Sequence, residues 1–149
     1  MKRGQKLMVF FMKEKTFKIR QCLDILLIKE LHAEILPTDD WYETKSICWV
    51  AYCGEIPVGF AMLSLQDNKI AYLARSGVLL EYRGYGLQRR LIRAREMFAR
   101  KLNFTKIITY TKIYNINSIN NLQKCGYWLY EPEEEYADAD CLYWIKELK

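Results

Sequence analysis

Long apolar runs are scarce in this chain. The stretch Leu7 to Met12 follows Lys2 and Arg3, but it is too short to cross a bilayer. Lys13-Glu14-Lys15 follows it where a signal peptide would carry small residues, so secretion is not indicated either. Residues 1–15 are read as an N-terminal extension, and residues 16–149 as one domain. Histidine is almost absent, with His32 alone. The cysteines Cys22, Cys48, Cys53, Cys125 and Cys141 are odd in number and form no matched pair of close pairs. A disulfide framework and a zinc site are both excluded by that pattern. The thiols are expected to be reduced and mostly buried, in a cytoplasmic protein with no metal and no membrane partner. No repeat and no low-complexity tract interrupts the chain.

What remains is enough apolar material for a core. Hydrophobic residues make up 51% of the sequence and aromatic residues 14%, more than a disordered chain carries. The net charge of +5 calls for an anionic partner, and the clustering of the basic residues decides which.

The order of elements reads as α+β. Phe17 to Arg20 forms a first strand, and Leu23, Leu26, Leu27, Leu31 and Ile35 recur at helical spacing up to Pro37. Ile47–Cys53, Pro57–Leu65 and Ile70–Leu80 form an antiparallel meander with turns at Gly54-Glu55 and Gln66–Lys69. A helix over Gly84–Leu102 presents Leu87, Leu91, Ala94, Phe98 and Leu102 on one face. A strand over Thr105–Tyr110 follows, then a helix over Asn115–Lys124 capped by Asn115 or Asn117. Strands at Tyr127–Tyr130 and Ala139–Lys146 close the chain around the acidic loop Glu131–Glu135. The strand-helix-strand crossover implies one parallel pair inside an otherwise antiparallel sheet.

The most informative segment runs from Val78 to Leu91. It is a strand end, a turn holding Gly84 and Gly86, and a helix start flanked by Arg83, Arg89 and Arg90. A helix start offers unpaired N–H groups and the positive end of the helix dipole. Cations there are unfavourable unless an anion is bound, so the pattern points to a phosphate site. No Lys-Ser or Lys-Thr follows the turn, and the third glycine of a dinucleotide fingerprint is missing.

On these residues the chain resembles the GNAT N-acetyltransferase superfamily. Arg83 and Gly86 fill the first and fourth places of the family's turn motif, with Gln88 where Gly or Ala is usual and Val78 and Leu91 at its apolar flanks. Asn115, Ser118, Lys124, Gly126 and Tyr127 match the spacing of a second family segment, and Gly54–Phe60 looks like the family's hairpin. The resemblance implies a mixed central sheet with a splayed parallel pair flanked by helices. It implies acetyl-CoA as cosubstrate, held by Ser76, Gly77, Val78, Arg83, Gly84, Tyr85, Gly86, Leu87, Gln88, Arg89 and Asn115. Gly77 inside a strand would mark a bulge or a close ligand approach.

The expected reaction is acetyl transfer to a primary amine of a small molecule or protein, by direct attack in a ternary complex. The backbone N–H of Val78 is assigned to the developing oxyanion. The position that often carries the acidic tyrosine in this family is Leu122, so Tyr127, Tyr114 or water is the candidate acid. His32 beside Glu30 and Glu34 is read as an exposed helix residue, with a general base as the other reading, and Cys125 as packing. Asp39 and Asp40 are read as caps, with attraction of a cationic amine as the other reading. A CoA-binding module without catalysis is the alternative. A nucleic-acid partner is not expected, because the basic residues gather at one helix start rather than along a groove. A homodimer stays open.

Overall fold

The computed structural model describes residues 15–42 and 45–149; the extension assigned to residues 1–15 therefore lies, apart from Lys15, outside the described residues. Strands β1 (Phe17–Cys22), β2 (Ser46–Cys53), β3 (Ile56–Leu65), β4 (Ile70–Val78), β5 (Lys106–Lys112), β6 (Trp128–Leu129) and β7 (Cys141–Glu147) join in one sheet. Its order is β1-β2-β3-β4-β5-β7-β6. Helix α1 (Ile25–Ile35) links β1 to β2, α2 (Leu87–Lys101) links β4 to β5, and α3 (Ile116–Lys124) follows β5. The β4–β5 pair is parallel, because α2 carries the chain back across the sheet, and the other pairs are antiparallel.

Alternation along the strands builds a core on each face. Trp49, Ala51, Ala61 and Leu63 pack with Leu87, Leu91 and Ile92 of α2 and Leu122 of α3. Their neighbours Cys48, Val50, Phe60 and Met62 pack with Ile28 and Leu31 of α1. Successive side chains of one strand thus serve opposite layers, and the sheet is covered on both sides.

Two helical faces differ from the periodicity reading. In α1 the N-cap is Asp24, whose carboxylate accepts from the Leu26 and Leu27 amides, and Leu23 is 94% exposed ahead of it. The buried face of α1 is Ile28, Leu31 and His32. In α2 the buried face is Leu87, Leu91, Ile92, Arg95, Glu96 and Ala99, while Leu102 at the C-cap is exposed. The stripe is rotated because Arg95 and Glu96 have polar partners inside, which the apolar pattern alone does not register. Glu96 takes a hydroxyl bond from Tyr127 at 2.8 Å and an ion pair from Lys146 at 3.0 Å. β4 ends at Val78, with a short 3₁₀ turn over Leu80–Tyr82 after it.

Candidate active site: the cleft at the splayed strands

The parallel pairing of β4 with β5 stops early. It holds Ile70, Ala71 and Tyr72 against Lys106, Ile107 and Ile108, then ends although both strands continue. The strands separate beyond that point. β4 also carries a bulge: Ala61 pairs with Ser76 and Leu63 with Leu73, so Met62 stands against both Ala74 and Arg75. Gly77 is regularly paired with Phe60, so the bulge lies upstream of it. Glycine is needed at 77 for another reason, since a Cβ there would lie 2.4 Å from Cγ2 of Ile35 on α1.

Hydrogen-bond alternation aims the end of β4 into the gap. The Leu79 N–H donates to the Val58 carbonyl at 2.8 Å. The neighbouring pair Gly59 and Val78 is therefore of the non-bonded kind, and the Val78 N–H and C=O point away from β3, toward the side that β5 has vacated. The Ser76 backbone has the same orientation, opposite Ala61. Arg83 Nε donates to the Val78 carbonyl at 3.1 Å and ties the following turn to the strand end.

That turn brings α2 to the gap. Gly84 and Gly86 have φ of 88° and 76°, the left-handed region that glycine enters at little cost. Gly86 is the N-cap of α2, so no side chain caps the first turn, and no acidic residue lies in it. The helix N-terminus opens on a cleft of about 510 Å³. Arg83, Arg89 and Lys124 line it without any carboxylate among the described residues. An anion is the natural complement to unpaired N–H groups, a helix dipole and three cations. Gln88, at the position where the resemblance leads one to expect Gly or Ala, sits inside α2 and accepts the Ser76 hydroxyl at 3.3 Å, leaving the turn to Gly86.

A second cleft of about 440 Å³ continues into the gap itself. Ser76, Gln88, Asn115, Ser118, Asn121 and Leu36 line both clefts. Asn115 is the N-cap of α3, its side chain accepting from the Ser118 amide at 3.3 Å. Tyr72, Tyr110 and Tyr114 wall the second cleft, with Arg75, Arg95 and Lys112 as cations and Asp39 as the single carboxylate among the described residues. Desolvation holds the Tyr72 hydroxyl well above its ordinary range, so it stays protonated.

Of the residues expected from the sequence, Ser76, Gly77, Val78, Arg83, Gly84, Gly86, Leu87, Gln88, Arg89 and Asn115 all line the first cleft. Tyr85 does not: its ring lies 5.0 Å from Phe17 and its hydroxyl takes a bond from Lys15. Tyr127 lines neither cleft. It is 4% exposed, its proton is committed to Glu96, and burial beside that carboxylate pushes its pKa up. Tyr114 does reach the second cleft and is largely exposed. His32 is buried rather than exposed, because it falls on the inner face of α1. Its Nε2 meets Arg75 Nη1 at 2.6 Å, and Trp41 and Phe60 flank its ring. Burial, and then Arg75, hold its pKa below the usual 6.5. Asp39 lines the second cleft, and the Asp40 carbonyl accepts from Arg75. Cys125 packs in the core, where burial raises its pKa. Sequence reasoning missed Lys124 as a cleft cation, although it stood inside the second motif, and missed Arg75 and Arg95, for which strand and helix periodicity give no signal.

A family model described as the acetyltransferase (GNAT) family matches residues 16–127. The chain belongs to the GNAT acetyltransferase family. Solved structures agree on the fold. An IAA acetyltransferase from Bacillus cereus superposes with a TM-score of 0.75 at 19% identity, covering 89% of this chain and 100% of its own. A Bacillus subtilis acetyltransferase in complex with CoA gives 0.75 at 17% identity, covering 90% and 100%. The ribosomal-protein-S18-alanine N-acetyltransferase of Escherichia coli gives 0.72 at 14% identity, covering 89% and 94%. A comparison with curated proteins returns no significant match. The GNAT fold places the parallel pair β4–β5 at the centre of the mixed sheet, where the clefts open.

Proposed function

We propose that this GNAT protein transfers the acetyl group of acetyl-CoA to a primary amine. The observation that carries the reading is the start of α2, a glycine-capped helix end with Arg83, Arg89 and Lys124 around it. The CoA bound by the similar Bacillus subtilis structure supports the same assignment. In this reading the amides from Leu87 to Arg89, with Arg83 and Arg89, hold the pyrophosphate. Gly84 and Gly86 keep the approach open, and the Ser76 and Val78 backbone groups, which face away from β3, pair with the pantetheine arm as it passes Gly77. Asn115 faces that arm from α3, and the thioester reaches the gap between β4 and β5.

Attack by the neutral amine puts negative charge on the thioester oxygen. The Val78 N–H, pointing into the gap, is positioned to stabilise it. The amine nitrogen forms the new C–N bond, the C–S bond breaks, and the proton lost by the amine goes to solvent or to the leaving sulfur. Tyr114 is the remaining candidate among the two tyrosines for that last transfer. Holding both substrates in adjoining clefts supplies much of the rate by proximity.

Leu122, 4% exposed where relatives often carry the acid, favours a second reading, a CoA-binding module without turnover. Thiol release from acetyl-CoA across a panel of primary amines separates the two. Release with at least one amine, accompanied by the acetylated product, supports the enzyme. Tight CoA binding with no release from any amine supports the module.

A further inference from the structure

Arg95 is 1% exposed, and no carboxylate forms an ion pair with it among the described residues. All its hydrogen bonds go to backbone carbonyls. Nε donates to Leu91 at 3.1 Å; Nη1 donates to Met62 at 3.1 Å and to Ala74 at 3.4 Å. The last two carbonyls belong to the bulge, where one residue of β3 faces two of β4 and the ladder is interrupted. A buried carbonyl left without a donor is costly, so a bulge in the core needs an outside donor. The guanidinium reaches both strands at once, which a single-point ammonium does less well.

We propose that Arg95 is a positioning residue for the acyl-donor slot: its side chain replaces the ladder bonds lost at the bulge and thereby fixes the Ser76–Val78 backbone that faces the gap. The inference rests on the acetyl-CoA reading for its functional half only. Several observations favour it over a packing role. The bulge lies immediately before Ser76, Gly77 and Val78, so any change in its shape re-aims the amides that follow. Arg95 also lines the cleft it would hold open. An unpaired buried cation is an expensive way to fill space, whereas a methionine would fill it without desolvating a charge. Burial lowers its pKa only to about 10, so the donor stays charged near neutrality.

The test compares Arg95→Met and Arg95→Lys with wild type, by amide hydrogen exchange without ligand and by calorimetric titration with CoA. Arg95→Met should speed exchange at the ladder-bonded Phe60 and Gly77 amides beside the bulge by about tenfold relative to amides of β1 and β2, and weaken CoA binding by about tenfold. Arg95→Lys, which keeps a donor but not the fork, should recover part of both. A folded Arg95→Met protein with unchanged exchange and unchanged CoA affinity overturns the proposal. If Arg95→Met does not fold, Arg95→Lys decides: unchanged exchange at Phe60 and Gly77 overturns the proposal, and local loosening there supports it. Wild type that fails to bind CoA overturns the cofactor reading, while the exchange measurement still rules on the tie to the bulge.

Discussion

His32 shows how one buried side chain can carry a pH response. The imidazole accepts from Arg75 and is enclosed by Trp41 and Phe60, so the fold disfavours its protonated form. Its folded pKa lies below the unfolded 6.5. Between those two values the unfolded chain binds more protons, so stability rises with pH through that window and is lost as pH falls from 6.5. His32→Gln keeps a polar group for Arg75 and removes the titration. Chemical denaturation at several pH values should show wild type losing stability below pH 6.5 more steeply than His32→Gln; parallel curves would remove His32 as the cause. Tyr127 gives a second residue-scale test. Tyr127→Phe leaves Glu96 with Lys146 but without the hydroxyl, at a cost of about 1–2 kcal/mol. The denaturation midpoint should fall while CoA-linked stabilisation stays the same. A lost CoA response would return Tyr127 to the site. These partners were not legible in the sequence, because Tyr127 and Glu96 are 31 residues apart and meet only through the packing of α2 on the sheet.

The turn from β4 to α2 is the element on which binding depends. Gly86 combines a left-handed backbone with the start of a helix that has no side-chain cap. Gly86→Val therefore meets two obstacles, a strained φ and a branched side chain at the helix start. Gly77 tests a different contact, the approach of α1 to β4. Gly77→Ala should destabilise by about 1–3 kcal/mol, because the new methyl meets Ile35. Ile35→Ala should partly rescue it in a double-mutant cycle, and strict additivity would mean that another contact sets the glycine requirement. The glycine turn and its arginines were legible because they are local, a strand end running into a helix with its phosphate chemistry in one segment. The faces of α1 and α2 were legible only in part. An apolar stripe locates a helix, but His32, Arg95 and Glu96 sit inside it through distant polar partners that spacing does not reveal.

At the scale of the whole molecule, the clefts are a product of topology. A parallel pair formed by a helical crossover ends after three residue pairs, a bulge interrupts β4 on its other side, and residues of α2 and α3 line the opening. The alternating sequence made the meander, the crossover and the closing strands readable in order. It did not show that β7 lies between β5 and β6, since sheet order is a long-range pairing. The central claim, that the start of α2 receives the pyrophosphate of CoA, implies linkage between CoA and folding. The direct measurement is thermal unfolding of wild type and Gly86→Val across a CoA titration. The melting temperature should climb with CoA in wild type and stay level in the variant. A wild-type melting temperature indifferent to saturating CoA, or an equal climb in both proteins, would contradict it.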